Sequence, residues 1–424
     1  LATSDGILLP CMVAVLVLFG HGLTSGLRWH HMAAMGLALG LGLLAKGPVA
    51  LLPVVVILVT LWLVRRNEVR MRSYLGPLGG AAVMGCLLFV IWAIPANNAT
   101  GGEFLRLGLG HHVLARTSRP LESHGGRFLL YLPYYPLIII ACFFPWTLHL
   151  PGSICAVLHR RVGSAHFREL FLAWVVSIVV IMTLVATKLP HYVLFTWPAM
   201  ALAVGGTLTA AAQGRLEEID RRWLRGGIYF YGPVAGCAVL GFLAAPFWLH
   251  LRGALVPFWS AAVVLLAMSV LAMRRQLQDR PRASAVTLLV GMAVLLLPVT
   301  LGILPALERV KISPVLAEAV RERTPQDVPI ATFGYDEPTL YFYVARPVAS
   351  LGDEDAVVEW ARQPQPGVLV ITDAARTQIE SCHGPLGLAE IAAADGLNFA
   401  KGTKLRVVAL LRQAATPQAQ GDDL

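Results

Sequence analysis

Charge is what this sequence has least of. Only 14% of its 424 residues are Asp, Glu, Lys or Arg, against 56% hydrophobic, whereas a soluble domain carries roughly a quarter charged residues. That deficit excludes an ordinary soluble domain and points to a multi-spanning membrane protein. Cysteine is scarce as well. Cys11, Cys86, Cys142 and Cys237 sit inside apolar runs, Cys155 near the end of one, and Cys382 alone in a polar tail. No CxxC or similar spacing occurs, so neither a disulfide framework nor a thiolate zinc site is expected. An HExxH or HxxxH pattern is also missing, and no repeat of fixed period is evident. The start lacks a basic segment and a small-residue cleavage site, and begins at Leu1 rather than Met, so the sequence reads as a piece of a longer chain. Basic residues outnumber acidic ones, 34 to 25. The arginines nevertheless lie in short loops, without aromatic residues interleaved on a polar face, and no nucleic-acid partner is expected.

What is present is a series of apolar runs of bilayer length. Candidate spans are 7–24, 30–45, 48–64, 76–95, 129–149, 169–187, 191–212, 227–249, 254–273 and 284–304. Lys46, Gly47 and Pro48 interrupt 30–64. A lysine at the bilayer centre costs roughly 2.5–3.5 kcal/mol, and proline breaks the helical hydrogen-bond ladder. Two short spans meeting at a polar turn therefore fit better than one long helix. Four loops hold the arginines: 65–72, 160–168, 215–225 and 274–282. With these spans all four fall on one side, cytoplasmic by the positive-inside rule. The opposite side receives Asp5, the Lys46 turn, the long loop 96–128, the Lys188–His191 turn, the short turn around Arg252, and the tail from about 305. Fusing 30–64 into one helix would move Asp5 to the cytoplasm. Lys46 and Lys188 are the only lysines before residue 310, and both fall at outer helix ends.

The tail from 305 changes character. Apolar strands are expected at 328–333, 339–344, 367–372 and 405–411, with helices at 313–323, 353–362 and 373–381. That alternation suggests a small βαβ-like sheet domain over 305–412, followed by a disordered tail at 413–424. The expected fold class is thus mostly α: a polytopic transmembrane helical domain over 1–304, then a small soluble α/β domain.

The chemistry-bearing residues cluster. Loop 96–128 holds His111, His112, Arg116, Arg119, Glu122, His124 and Arg127 among glycines. A connection this long is usually functional or disordered. Its apolar spacing (Phe104, Leu105, Leu109, Val113, Leu114) suggests an amphipathic helix on the outer interface. Arginines there suit an anionic, lipid-linked substrate and histidines suit proton transfer, against the plainer reading of a solvated interfacial loop. Asp5 is either a helix N-cap or a functional carboxylate. Lys46 is either a snorkelling lysine or a phosphate ligand, and GLGLLAKG lacks the spacing of a phosphate loop. Lys188 and His191 share a very short turn, as interfacial anchors or as phosphate ligands. The aromatic runs around Tyr131–Tyr135 and Phe143–Trp146 read as interfacial belt and packing.

Four stretches then carry a resemblance: LLAKGPVALLP at 43–53, GHHVLARTSRPLESHGG with YLPYY and FFPW over 110–146, TKLPHYVLFTWPA at 187–199, and FGYDEPTLYFYVARPV at 333–348. Together they resemble the bacterial aminoarabinose-transferase-like and protein-mannosyltransferase-like glycosyltransferases, membrane enzymes of the GT-C fold, in order along nearly the whole chain. The resemblance implies transfer of a sugar from a polyprenyl (undecaprenyl) phosphate carrier to a lipid A, protein or glycan acceptor. It places that reaction at the periplasmic face of the bacterial inner membrane, beside a periplasmic α/β domain. It gives Asp5 the role of the family's second acidic residue and so of a catalytic carboxylate. Lys46, Arg116, Lys188 and His191 would then bind the donor phosphate, and His111, His112, Glu122 and His124 would shape the site from the outer loop. The family's first outer loop, with its main catalytic aspartate, would lie before Leu1, so the chain as given is expected to lack that residue. No cofactor is implied with certainty; a divalent metal could assist, with no ligand set defined. The partners expected are a polyprenyl-phosphate-linked sugar donor, a lipid or protein acceptor, and the bilayer. The competing class is a secondary transporter or a lipid-binding membrane protein without catalysis. Transporters, however, place ionisable groups near the midplane and often show inverted repeats.

Overall fold

The computed structural model describes residues 4–64, 72–108, 132–398 and 403–413. Among them, eight helical stretches are long and apolar enough to cross a bilayer, and a five-stranded sheet lies near the carboxy terminus. The protein is a multi-pass membrane protein, mostly helical, with a small α/β domain. The chain divides into two compact units: 1–241 with 262–294, and 242–261 with 295–424.

In the first unit, helix α1 (Asp5–Ser25) buries Leu8, Met12, Val15, Leu16, Phe19 and Leu23. That spacing of three and four residues makes one stripe along the helix. Its partner α2 (Trp29–Lys46) buries Met35, Gly36, Leu39, Gly40 and Leu43, and follows after only three residues, which forces an antiparallel pair. The chain then turns through the 3-10 segment Gly47–Leu51 into α3 (Leu52–Val64). The turn is a genuine reversal: a Cβ placed on Gly42 would lie 3.1 Å from that of Ala50, whereas eight residues of straight helix span about 12 Å. Helix α4 (Arg72–Ala99) packs on α2 through small residues. A Cβ on Gly36 would come 3.1 Å from the Ala81 carbonyl oxygen, and one on Gly40 would come 3.2 Å from that of Gly85. Small residues four apart let two backbones approach, which is how helices associate in lipid when hydrophobic burial offers no preference. Helix α4 reaches Ala99, so it runs into the segment expected to be loop from residue 96.

The expected span at 129–149 is not a single helix. Two nine-residue helices, Tyr134–Cys142 and Leu150–Leu158, flank a break at Phe143–His149 that contains a cis Phe144–Pro145 bond. Pro145 donates no backbone hydrogen bond and Pro151 starts the second helix, so an uninterrupted ladder is not available.

In the second unit the strand order is β2-β1-β3-β5-β4, with β1 (Ile330–Phe333), β2 (Val348–Ser350), β3 (Gly367–Thr372), β4 (Ala389–Asn398) and β5 (Thr403–Arg412). β1 pairs in parallel with β2 and β3, while β5 runs antiparallel to β3 and to β4. Val368, Leu369, Val370 and Ile371 are all fully buried, because a central strand covered on both faces is apolar throughout rather than alternating. The helices at Ile312–Arg323, Glu354–Ala361 and Asp373–His383 fall where the sequence placed them. Asp353 and Thr372 cap the last two by accepting from Ala356 N and Ala375 N. One expectation fails: 339–344 is not a strand but the helix Pro338–Val344. Its aromatic run has high strand propensity, yet Pro338 starts a helix and Leu340 and Val344, four apart, enter the core together. Strand β4, rich in alanine, was not anticipated; it forms by pairing with β5 across an irregularity between Glu390 and Ala392.

A close backbone approach in the first unit, between the turn at Gly227 and the 3-10 segment Trp146–Leu148, yields a prediction. A methyl group on Gly227 would collide with the Leu148 carbonyl oxygen, while one on Gly236 meets nothing within 4 Å. Backbone cannot swing aside as a side chain can. Gly227→Ala should therefore lower thermal stability in detergent by about 1–3 kcal/mol, whereas Gly236→Ala should leave it unchanged or slightly raised. Equal melting temperatures for the two variants would contradict this packing.

Candidate functional site

The antiparallel hairpin decides which sequence-predicted residues meet. Asp5 opens α1 and Lys46 closes α2, so a reversal at residues 26–28 returns the chain to the level at which it started. The Lys46 ammonium donates to Asp5 Oδ1 at 2.5 Å, with the two side chains 27% and 10% exposed. Both readings of Asp5 open in the sequence are thereby narrowed. It caps no backbone N–H through its side chain, since the N-cap position belongs to Ser4, and its carboxylate faces a cation 41 residues away. At Gly47 the backbone adopts φ +60, a conformation that a Cβ disfavours. Pro48 then starts the 3-10 turn, holding Lys46 at the bend.

Beside that bend lies a cavity of about 440 Å³, and Lys46 is the one charged residue in its lining among the described residues. The remainder is apolar or aromatic, including Leu43, Pro48, Phe89, Trp92, Phe104 and Tyr192. Trp92 near the end of α4 meets Phe104 edge-on at 5.1 Å. A single ammonium at an apolar chamber suits an amphiphile with an anionic head and a hydrocarbon chain.

Lys188 is differently employed. It is buried, and its ammonium donates to the carbonyls of Met182, Thr183 and Val185, with the Tyr135 ring 5.9 Å away. An ammonium has three donors, and here all three close the carboxy-terminal end of the helix Phe167–Leu184, whose last carbonyls lack partners within the helix. His191 is exposed on the 3-10 turn Pro190–Thr196, its ring edge-on to Tyr192 at 5.0 Å, so it adjoins a residue of the cavity wall. His111, His112, Arg116, Glu122 and His124 lie outside the described residues.

Sequence reasoning missed a second polar grouping. Cys155, His159 and Asp220 bring a sulfur, an imidazole nitrogen and a carboxylate oxygen within 4.8 Å of one another. The four-residue interval between Cys155 and His159 was visible in the sequence; Asp220 could not be joined to it without tertiary contact. In the arginine loops 160–168 and 215–225, arginines pair with carboxylates. Arg160 and Arg168 both reach the buried carboxylate of Glu169, at 2.5 and 3.1 Å, and Arg221 meets Asp279 at 2.6 Å.

The geometry of Lys188 makes a testable distinction. Lys188→Met should strip three charge-assisted hydrogen bonds from the helix end and lower stability in detergent by about 1.5–3 kcal/mol. An unchanged melting temperature together with weaker donor binding would place the ammonium on the donor instead.

No family model matches the chain. Among curated proteins it is 32% identical, over 213 residues, to the undecaprenyl phosphate-alpha-4-amino-4-deoxy-L-arabinose arabinosyl transferase 1 of Pseudomonas fluorescens; the match covers 48% of this chain and 36% of that protein. It is also 32% identical over 200 residues to the corresponding transferase of Pseudomonas aeruginosa, covering 46% of this chain and 34% of that one. The matched region is thus little more than a third of those relatives' length. Among solved structures, ArnT from Cupriavidus metallidurans bound to undecaprenyl phosphate superposes with a TM-score of 0.70 at 21% identity, over 97% of this chain and 75% of that one. The same protein in the apo state gives 0.69. The chain therefore has the GT-C-type fold of ArnT and is similar in sequence to undecaprenyl phosphate aminoarabinose transferases.

Proposed function

We propose that this chain is a glycosyltransferase that moves a sugar, most simply an amino sugar, from a polyprenyl phosphate carrier to a lipid A, protein or glycan acceptor at the periplasmic face of the inner membrane. The observation that carries the proposal is the apolar cavity whose one charged lining residue among the described residues, Lys46, is paired with Asp5. The names and titles of the proteins it resembles, one of them solved with undecaprenyl phosphate bound, support the choice of donor.

In this reading the isoprenoid chain occupies the aromatic-lined cavity and the carrier phosphate sits at Lys46. Attack by an acceptor oxygen forms its bond to the anomeric carbon as the bond to the phosphate oxygen breaks, and the carrier departs as a phosphate anion. Lys46 stabilises the charge that builds on that oxygen. Asp5 takes or orients the acceptor proton, freed from its partner as Lys46 turns to the phosphate. Arg116, His111, His112, Glu122 and His124 are assigned to the outer loop that completes the site, and His191 to its rim. Charge confined to helix ends supports transfer over transport, since a permeation path places ionisable groups at the midplane.

The sidedness is part of the proposal. Asp5 and Lys46 share the outer compartment with the α/β domain from about residue 305, across the bilayer from the arginine loops. In intact cells, a membrane-impermeant thiol reagent should label Asp353→Cys but not Arg275→Cys in a background freed of native cysteines; the reverse pattern would dismantle the site.

Catalysis is tested on the purified full-length protein in liposomes with a radiolabelled polyprenyl-phosphate sugar. Lys46→Ala should reduce transfer roughly 10- to 100-fold, the equivalent of one charge-assisted contact of about 1.5–3 kcal/mol. Undiminished transfer would remove Lys46 from the site, and donor binding without transfer by the parent protein would favour a lipid-binding role.

A further inference from the structure

The grouping of Cys155, His159 and Asp220 belongs to neither the cavity at Lys46 nor any motif of the resemblance. Cys155 lies in the last turn of the helix Leu150–Leu158, and His159 is the residue at its carboxy-terminal cap. Four residues apart, their side chains project from the same face. Asp220 comes from the first turn of the helix Glu218–Gly226. His159 Nδ1 is 3.6 Å from Cys155 Sγ and 3.0 Å from Asp220 Oδ1.

The sulfur–nitrogen separation matches an edge of a tetrahedral coordination sphere, the nitrogen–oxygen one is a hydrogen bond that a bound ion would replace and widen, and all three ligand atoms lie within 4.8 Å of one another. With zinc–sulfur bonds of about 2.3 Å and zinc–nitrogen or zinc–oxygen bonds of about 2.0–2.2 Å, neighbouring ligands stand about 3.4–3.6 Å apart. The second oxygen of Asp220 is already oriented: it accepts from Glu217 N at 3.0 Å, with Arg161 Nε at 4.0 Å. Partners of this kind fix the attitude of a ligating carboxylate. Asp220 and Cys155 are buried while His159 is exposed, and Cys155 and His159 line a cavity of about 610 Å³ together with Ile219 and Trp223. A path for entry and room for a fourth ligand are both present.

A plain structural role accounts for only part of this. The hydrogen bond between His159 and Asp220 joins two helix ends without help, and it needs no thiol in the preceding turn. We propose that Cys155, His159 and Asp220 form a site for a divalent transition metal of the zinc class, with three protein ligands and a fourth position open to the adjoining cavity. Thiolate and imidazole together select such a metal over magnesium or calcium. Binding releases the thiol proton, and the neutral imidazole ligates through Nδ1 with its proton on Nε2. Thiolate and carboxylate then neutralise the two positive charges of the ion.

The test uses the full-length chain purified in detergent and titrated with cobalt(II), with no reliance on enzymatic activity. One equivalent should produce a sulfur-to-cobalt charge-transfer band and the intense visible bands of tetrahedral cobalt, both bleached by zinc. A variant in which Cys11, Cys86, Cys142, Cys237 and Cys382 are all replaced should retain the band. Cys155→Ser should lose it with an unaltered melting temperature, since serine preserves a purely structural contact. His159→Gln should weaken binding roughly tenfold or more. A parent protein that shows only the spectrum of hexaaqua cobalt overturns the proposal outright, and so does a band that survives in Cys155→Ser.

Discussion

Helices in lipid gain little from burying one another, because the tails around them are as apolar as their own side chains. Close van der Waals contact is what remains, and in this protein it is concentrated where α2 meets α4 over Gly36, Gly40 and Gly85. That contact holds α2 at a set depth and rotation, and so places its last residue, Lys46. The α1–α2 hairpin then brings Asp5 to the same level, and the 2.5 Å ion pair follows from the antiparallel geometry. The pair and the cavity beside it would both be lost if α2 shifted by one turn, about 5.4 Å.

The two ends of the first unit handle charge differently. At the Arg28 end, arginines gather carboxylates: Glu169 is shared by Arg160 and Arg168, Asp279 pairs with Arg221, and Asp220 stands near Arg161. Exposed pairs of this sort add little each, but Glu169 and Asp220 are buried, so their partners supply compensation that water cannot. At the Lys46 end, charge is sparse among the described residues. Lys188 is consumed by backbone carbonyls, and Lys46 is left at an apolar wall.

The carboxy-terminal sheet shows the ordinary limits of local propensity. GVLVIT became the central strand β3 because an unbroken apolar run is what a doubly covered strand requires. TLYFYV has equally strong strand character, yet it is helical because Pro338 starts the turn and the core receives Leu340 and Val344 from one face. Strand β4 has almost no propensity of its own and exists through its ladder with β5.

From sequence alone, the membrane class, most of the helix positions, the reversal at Lys46–Gly47–Pro48 and the presence of a terminal α/β domain could be determined, because hydropathy, proline and strand–helix alternation are local properties. Asp5 and Lys46 could be singled out individually, since a lone charge at the end of an apolar run is conspicuous. Only the tertiary structure decided that these two meet across 41 residues, that Lys188 spends its donors on a helix end, and that Asp220 joins Cys155 and His159. Each is a contact between elements distant along the chain, and helix depth and rotation, which set such contacts, come from packing rather than from any residue's own preference.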